Sequence, residues 1–326
     1  MSRRPALFTL IILLLFFIAL AACGGGGEEK VTGTPTQATA TTAAQTTPTE
    51  AGATATPSEA GVAATATVPP PVTVEVNKSF WHAGWKVTLG EATFATTTDF
   101  SGSLEGSVSI EATFENLGDD IAAFRSQLVL VAGGRNYTEP TYDQEIPEVP
   151  GNLKQTGKIT FAVDPEFEFD DAVLIVGRPE NNQATIPLGP AGGDLVSLEP
   201  REVSIAGQAT SARITISLNG GDLRADIPDN HDEMKKGWLA LTLRFSASFE
   251  EGNYYDENVM DDDFALTLPD GTSVAAADGP NEIISPGTTL PDLLLRFGVR
   301  DPAQGAYTLR YGRAGAEPVE IQFQIQ

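Results

Sequence analysis

The chain has 326 residues, with 44 acidic against 20 basic side chains and a net charge of −24. A surface of that sign repels phosphate backbones and anionic lipid, which excludes nucleic acid as a partner class. Cys23 is the only cysteine, so no disulfide within the chain supports the fold, which must rest on buried apolar area.

The first element is a leader. Arg3 and Arg4 precede an almost unbroken apolar run from Leu7 to Leu20, and small residues follow it. This layout predicts a secretory signal peptide over residues 1–22. The run is about 14 residues, roughly 21 Å as a helix, which falls short of a bilayer core of ~30 Å and disfavours a membrane span. It ends in Leu20-Ala21-Ala22-Cys23. That segment resembles the lipobox of bacterial lipoproteins. The resemblance implies a diacylglycerol on the Cys23 thiol, cleavage just before it, and an acylated Cys23 as the first residue of the mature chain. The expected address is extracytoplasmic, anchored to the cell membrane by lipid on Cys23. Lipidation also removes a free thiol that would be an oxidation liability in an exported protein.

Residues 23–71 are expected to form the lipidated cysteine and a disordered linker. From Gly24 to Pro71 the chain is mostly Thr, Ala, Pro, Gly, Ser and Gln, with no aromatic residue and no Leu or Ile. Such a segment cannot bury enough apolar surface to offset its ordering entropy. As a flexible coil it would reach roughly 35–40 Å.

Beyond residue 71 the pattern changes to short alternating runs. Val72-Thr73-Val74-Glu75-Val76, Val108-Ser109-Ile110-Glu111-Ala112-Thr113-Phe114 and Ile214-Thr215-Ile216-Ser217-Leu218 place every second side chain on one face. That is the signature of half-buried strands. Gly133-Gly134 and Asp270-Gly271 are hairpin turns by composition. Four units recur in the same order. Gln127–Leu130 answers Phe264–Leu268, Ile159–Pro165 answers Leu295–Pro302, Ala172–Arg178 answers Tyr307–Arg313, and Ala184–Leu188 answers Val319–Phe323. A duplicated domain accounts for this, with sandwiches over 72–198 and 199–326. The fold class expected is all-β, two tandem antiparallel immunoglobulin-like β-sandwiches. The strand Val87–Ala92 and the strand that ends in Glu115-Asn116-Leu117-Gly118 resemble immunoglobulin-like domains of the DUF4352 type. That type is common in exported bacterial lipoproteins and similar to the MPT63-like type; the resemblance implies no catalytic residues.

Three local features invite a chemical reading. The acidic loop from Glu250 to Asp263 collects Asp256, Asp261, Asp262 and Asp263, and Ca²⁺ is the candidate cofactor because hard cations take six or more oxygens. The spacing is not that of an EF-hand loop. A second acidic run, Asp226 to Glu233, is separated from the first by Gly237–Phe249, roughly 40 Å if it is one straight strand, so the two cannot share an ion. Phe80-Trp81-His82-Ala83-Gly84-Trp85 concentrates two of the three tryptophans. Trp81 and His82 are the candidate ligand-binding pair, as an aromatic platform for sugar, while Trp85 falls in phase with Val87 and Leu89 and reads as core. His82 and His231, one per repeat, sit in no Cys/His cluster, which argues against zinc. No nucleophile elbow, phosphate-binding loop or His-Glu-x-x-His motif occurs, so no enzyme is expected. The expected function is a non-catalytic binding or spacer module at the cell envelope, facing an envelope protein or glycan. The alternatives are a carbohydrate- or Ca²⁺-binding sandwich, or the solute-binding component of a transport system.

Overall fold

The computed structural model describes residues 68–138, 145–252, 255–313 and 315–325, so the leader, Cys23 and most of the linker lie outside it. The described chain is all-β, with antiparallel pairing throughout and only two single-turn 3₁₀ segments. Two separate apolar clusters organise it, one drawn from residues 76–188 and one from 203–325.

In the first half, β1 (Val72–His82), β2 (Trp85–Thr98), β3 (Leu104–Asn116), β4 (Leu128–Ala132), β5 (Arg135–Thr138), β6 (Lys154–Val163), β7 (Val173–Val176) and β8 (Ala184–Pro187) form two four-stranded sheets. Their orders are β1-β2-β3-β6 and β8-β7-β4-β5. With β1 set aside, these are strands A-B-E and G-F-C-C′ of an immunoglobulin-type sandwich. The inward row of β2 begins at Trp85, Val87 and Leu89 and resumes at Ala92, because a bulge between Leu89 and Ala92 shifts the pairing with β3. Trp85, Phe80 and Phe114 surround Phe124, with ring centroids 5.7–6.2 Å apart. The predicted Gly133-Gly134 turn joins β4 to β5, and both glycines have positive φ, 56° and 73°, as a type I′ turn requires.

The second half repeats the plan. Its strands are β9 (Arg201–Val203), β10 (Gly207–Ser211), β11 (Ile214–Arg224), β12 (Asp226–Ile227), β13 (Asp232–Glu233), β14 (Trp238–Phe249), β15 (Phe264–Thr267), β16 (Ser273–Ala275), β17 (Thr289–Arg300), β18 (Gly305–Tyr311) and β19 (Val319–Ile325). One sheet runs β9-β11-β14-β17 with β10 also on β11, and the other runs β16-β15-β18-β19. Strand by strand, β11, β14 and β17 stand where β2, β3 and β6 stand, and β15, β16, β18 and β19 match β4, β5, β7 and β8. Each of the four sequence repeats falls on a matching pair. Even the bulge recurs, between Leu218 and Gly220 on β11.

One connection breaks the symmetry. Between β2 and β3 the chain turns tightly through Asp99–Ser103, with Asp99 accepting the Ser101 and Ser103 amides. Between β11 and β14 it makes a small hairpin instead, β12 and β13, closed by a 3₁₀ turn over Pro228–Asn230.

Candidate functional site

The β12–β13 hairpin and the segment after it, through Trp238, reach the first repeat, and the hairpin brings buried polar side chains to the junction of the two sandwiches. The acceptor surface is one end of sandwich 1, built from the β1–β2 turn, the end of β3 and the β7–β8 loop. Asp226, 3% exposed, accepts the Gly84 amide at 2.7 Å through one oxygen and Arg224 Nε at 3.0 Å through the other. His231 Nε2 donates to Asn116 Oδ1 (2.9 Å), and its ring lies 5.5 Å from that of Trp85. Asn116 is spent completely: its amide nitrogen bonds the Asp120 and Val149 carbonyls, and its oxygen also takes the Gly118 amide. The approach is close because glycines line it. A methyl group on Gly118 would stand 2.7 Å from the Pro228 carbonyl oxygen, and one on Gly84 2.8 Å from the same atom.

Asn182, in the β7–β8 loop, ties the other side. Its amide donates to the Met234 carbonyl (3.0 Å), its side chain donates to the Trp238 carbonyl (2.7 Å), and its side-chain oxygen accepts the Gly237 amide (3.0 Å). Its own carbonyl faces His82 Nε2 at 3.3 Å, while His82 Nδ1 lies 2.7 Å from Ser126 Oγ. A carbonyl only accepts, so Nε2 carries the proton and Nδ1 accepts from the serine. Burial pushes the His82 pKa below its ordinary value of 6.5, a shift that the Glu233 and Asp226 carboxylates moderate. A hydroxyl on an imidazole oriented by a third group has the connectivity of an activated nucleophile. Here the imidazole is 2% exposed and both nitrogens are committed, so no leaving group reaches it. The chain of bonds is a lock.

The outer face of the second repeat's first sheet extends the same network. Arg296, buried on β17, holds Asp229 of the hairpin at 2.7 Å and Asp278 at 2.8 Å. Asp222 lies near Arg224 and Arg244, and burial raises its carboxyl above the usual range despite them.

The predicted sites fare differently. Cys23 lies outside the described residues. Trp81 and His82 do not make a shared platform, because neighbours on a strand point to opposite faces. His82 is buried in the lock; Trp81 has the Lys86 ammonium 5.1 Å over its ring and donates its amide to the Ser197 carbonyl. Trp85 is core, as its phase predicted. Two of the candidate Ca²⁺ ligands are engaged within their own turn. Asp263 accepts the Met260 amide and Asp261 the Asp262 amide, each capping its own 3₁₀ turn. Arg313 takes Glu257 at 2.9 Å and stands 4.0 Å from Asp263. No cluster of three metal-ligating side chains forms among the described residues. The second acidic run, Asp226 to Glu233, is the hairpin that closes the junction. Sequence reasoning passed over Asp226, Asn116 and Asn182; the signal available was the unequal length of the two equivalent connections.

No protein-family model matches the chain, and no curated protein matches it. Among solved structures, a conserved hypothetical protein from Bacillus anthracis is similar at 14% identity, over 36% of this chain and 96% of its own, with a TM-score of 0.26. A conserved domain protein from Bacillus anthracis is similar at 12% identity, over 78% of this chain and 91% of its own, with a TM-score of 0.24.

Proposed function

We propose that the chain is a lipid-anchored, extracytoplasmic protein of a bacterial envelope whose paired sandwiches act as a non-catalytic binding or spacing module. The observation that carries this reading is Leu20-Ala21-Ala22-Cys23 directly after a charged and apolar leader. A single acyl chain holds a protein reversibly and two hold it stably, so a diacylated Cys23 is a sufficient anchor. The composition of residues 24–71 suits a tether that lets the folded part stand off from the bilayer. The junction supports the second half of the reading. Two sandwiches tied by buried polar bonds on both sides of one hairpin move as a single stiff body, which suits a module that projects a surface.

The test is metabolic labelling with a radioactive or clickable fatty acid. The wild-type chain takes up label and fractionates with membranes, and Cys23→Ser does neither. Wild-type protein found unlabelled in the soluble fraction overturns the reading.

A further inference from the structure

Beside the lock, the two repeats enclose a groove of about 420 Å³. One wall is the extended segment that leads into β4, with Ile121, Ala122, Ala123 and Arg125; the other is His231 and Glu233 of the hairpin, and Glu148 closes one side. Because its walls come from both repeats and the lock holds them, the groove is preformed, and junctions of this kind are where small-molecule sites concentrate.

Its chemistry is divided. Ile121 is 65% exposed at the rim, a large apolar side chain left in water, and it continues into the alanines beside it. Arg125 and Glu148 both line the groove, yet their side chains do not pair with each other, and neither side chain has a hydrogen-bond or ion-pair partner among the described residues. Glu233, in contrast, is engaged by the Asn181 side chain, and His231 Nε2 by Asn116. The groove therefore offers one uncommitted cation, one uncommitted anion and an apolar strip.

We infer that this groove binds a small zwitterion, a free amino acid or dipeptide, with its carboxylate on Arg125, its ammonium on Glu148 and its side chain against Ile121, Ala122 and Ala123. A zwitterion has no net charge, so the acidic surface does not repel it, whereas a simple anion would be turned away. The inference rests on the reading of the paired sandwiches as a binding module and is independent of the lipid anchor.

The experiment is calorimetric titration of the full chain with L-alanyl-L-alanine, and with the same dipeptide acetylated and amidated at its ends. The free dipeptide binds saturably at one site. Arg125→Ala and Glu148→Gln each weaken it by about tenfold or more, the worth of one charge-assisted hydrogen bond. Both residues are exposed, so the variants fold. Absence of saturation in the wild type at millimolar dipeptide, equal binding of the capped dipeptide, or wild-type affinity in either variant overturns the inference. A chain that takes fatty-acid label on Cys23 but fails this titration loses the zwitterion site and keeps its proposed anchor.

Discussion

The carboxylate of Asp226 accepts the amide of Gly84 at 2.7 Å across the junction of the two sandwiches, between residues 142 apart in the chain. Gly84 can present that amide because its φ of +76° turns the chain sharply between β1 and β2. Asp226→Ala leaves the Gly84 amide and the Arg224 guanidinium buried without their acceptor. The expected loss is about 3–5 kcal/mol, the cost of breaking one side of a buried charged pair. Denaturant unfolding checks it, with Asp226→Asn retaining an acceptor and losing less. A wild-type midpoint for Asp226→Ala would show that the junction is not held there.

Gly118 tests how close the approach is. An added methyl at this position meets the Pro228 carbonyl oxygen at 2.7 Å and His231 Cε1 at 2.8 Å, and backbone cannot give way as a side-chain tip does. Gly118→Ala is expected to cost about 1–3 kcal/mol, as overpacking does. Gly90→Ala is the control, because its methyl would find its nearest neighbour at an ordinary 3.6 Å. Equal midpoints for the two variants would contradict the packing described.

His82 makes the junction sensitive to acid. Burial lowers its pKa in the folded chain below the ordinary 6.5. The unfolded chain then binds the proton more readily, so the contribution is complete above that ordinary value and is lost as pH falls through the folded-state pKa. Stability measured at about pH 7.5 and about pH 5.5 spans the upper part of this window, above the range where ordinary carboxylates titrate. The difference is expected to be smaller in His82→Gln, which is less stable overall but has no imidazole to charge. An equal difference in the variant would remove His82 from the effect.

Tyr311 supplies the opposite case. Its ring is fully buried in the second core, 5.0 Å from Phe264, and its hydroxyl has no hydrogen-bond partner among the described residues. Removing a buried polar group without a partner relieves its desolvation, so Tyr311→Phe is expected to be neutral or to stabilise by about 1 kcal/mol. Destabilisation beyond that would reveal a partner for the hydroxyl.

Much of the architecture was legible in the residues themselves. Alternation set the inward rows of β2, β3 and β14, and the Gly133-Gly134 turn announced its hairpin through two positive φ angles. The four repeated motifs were legible because equivalent strands bury equivalent faces. The candidate sites were less so. Asp261, Asp262 and Asp263 look like metal ligands when counted, but a carboxylate can spend its oxygens on the amides of its own turn, and Arg313 reaches Glu257 from just past the end of β18. His82 looks like a binding residue beside Trp81, but strand alternation sends the two to opposite faces.

The sequence by itself determined that this is a β protein built twice around a core without disulfides, because those properties depend on periodicity and composition over neighbouring residues. Only the tertiary structure decided what the β12–β13 hairpin does. Its residues are only a second acidic run in one dimension, and become a lock when Gly84, Asn116 and Asn182 arrive from positions more than 40 residues away to meet Asp226, His231 and the backbone beyond it. Hydrogen bonds between such distant partners leave no periodic trace in a single chain, so the polar junction and the groove beside it appear only when the fold is complete.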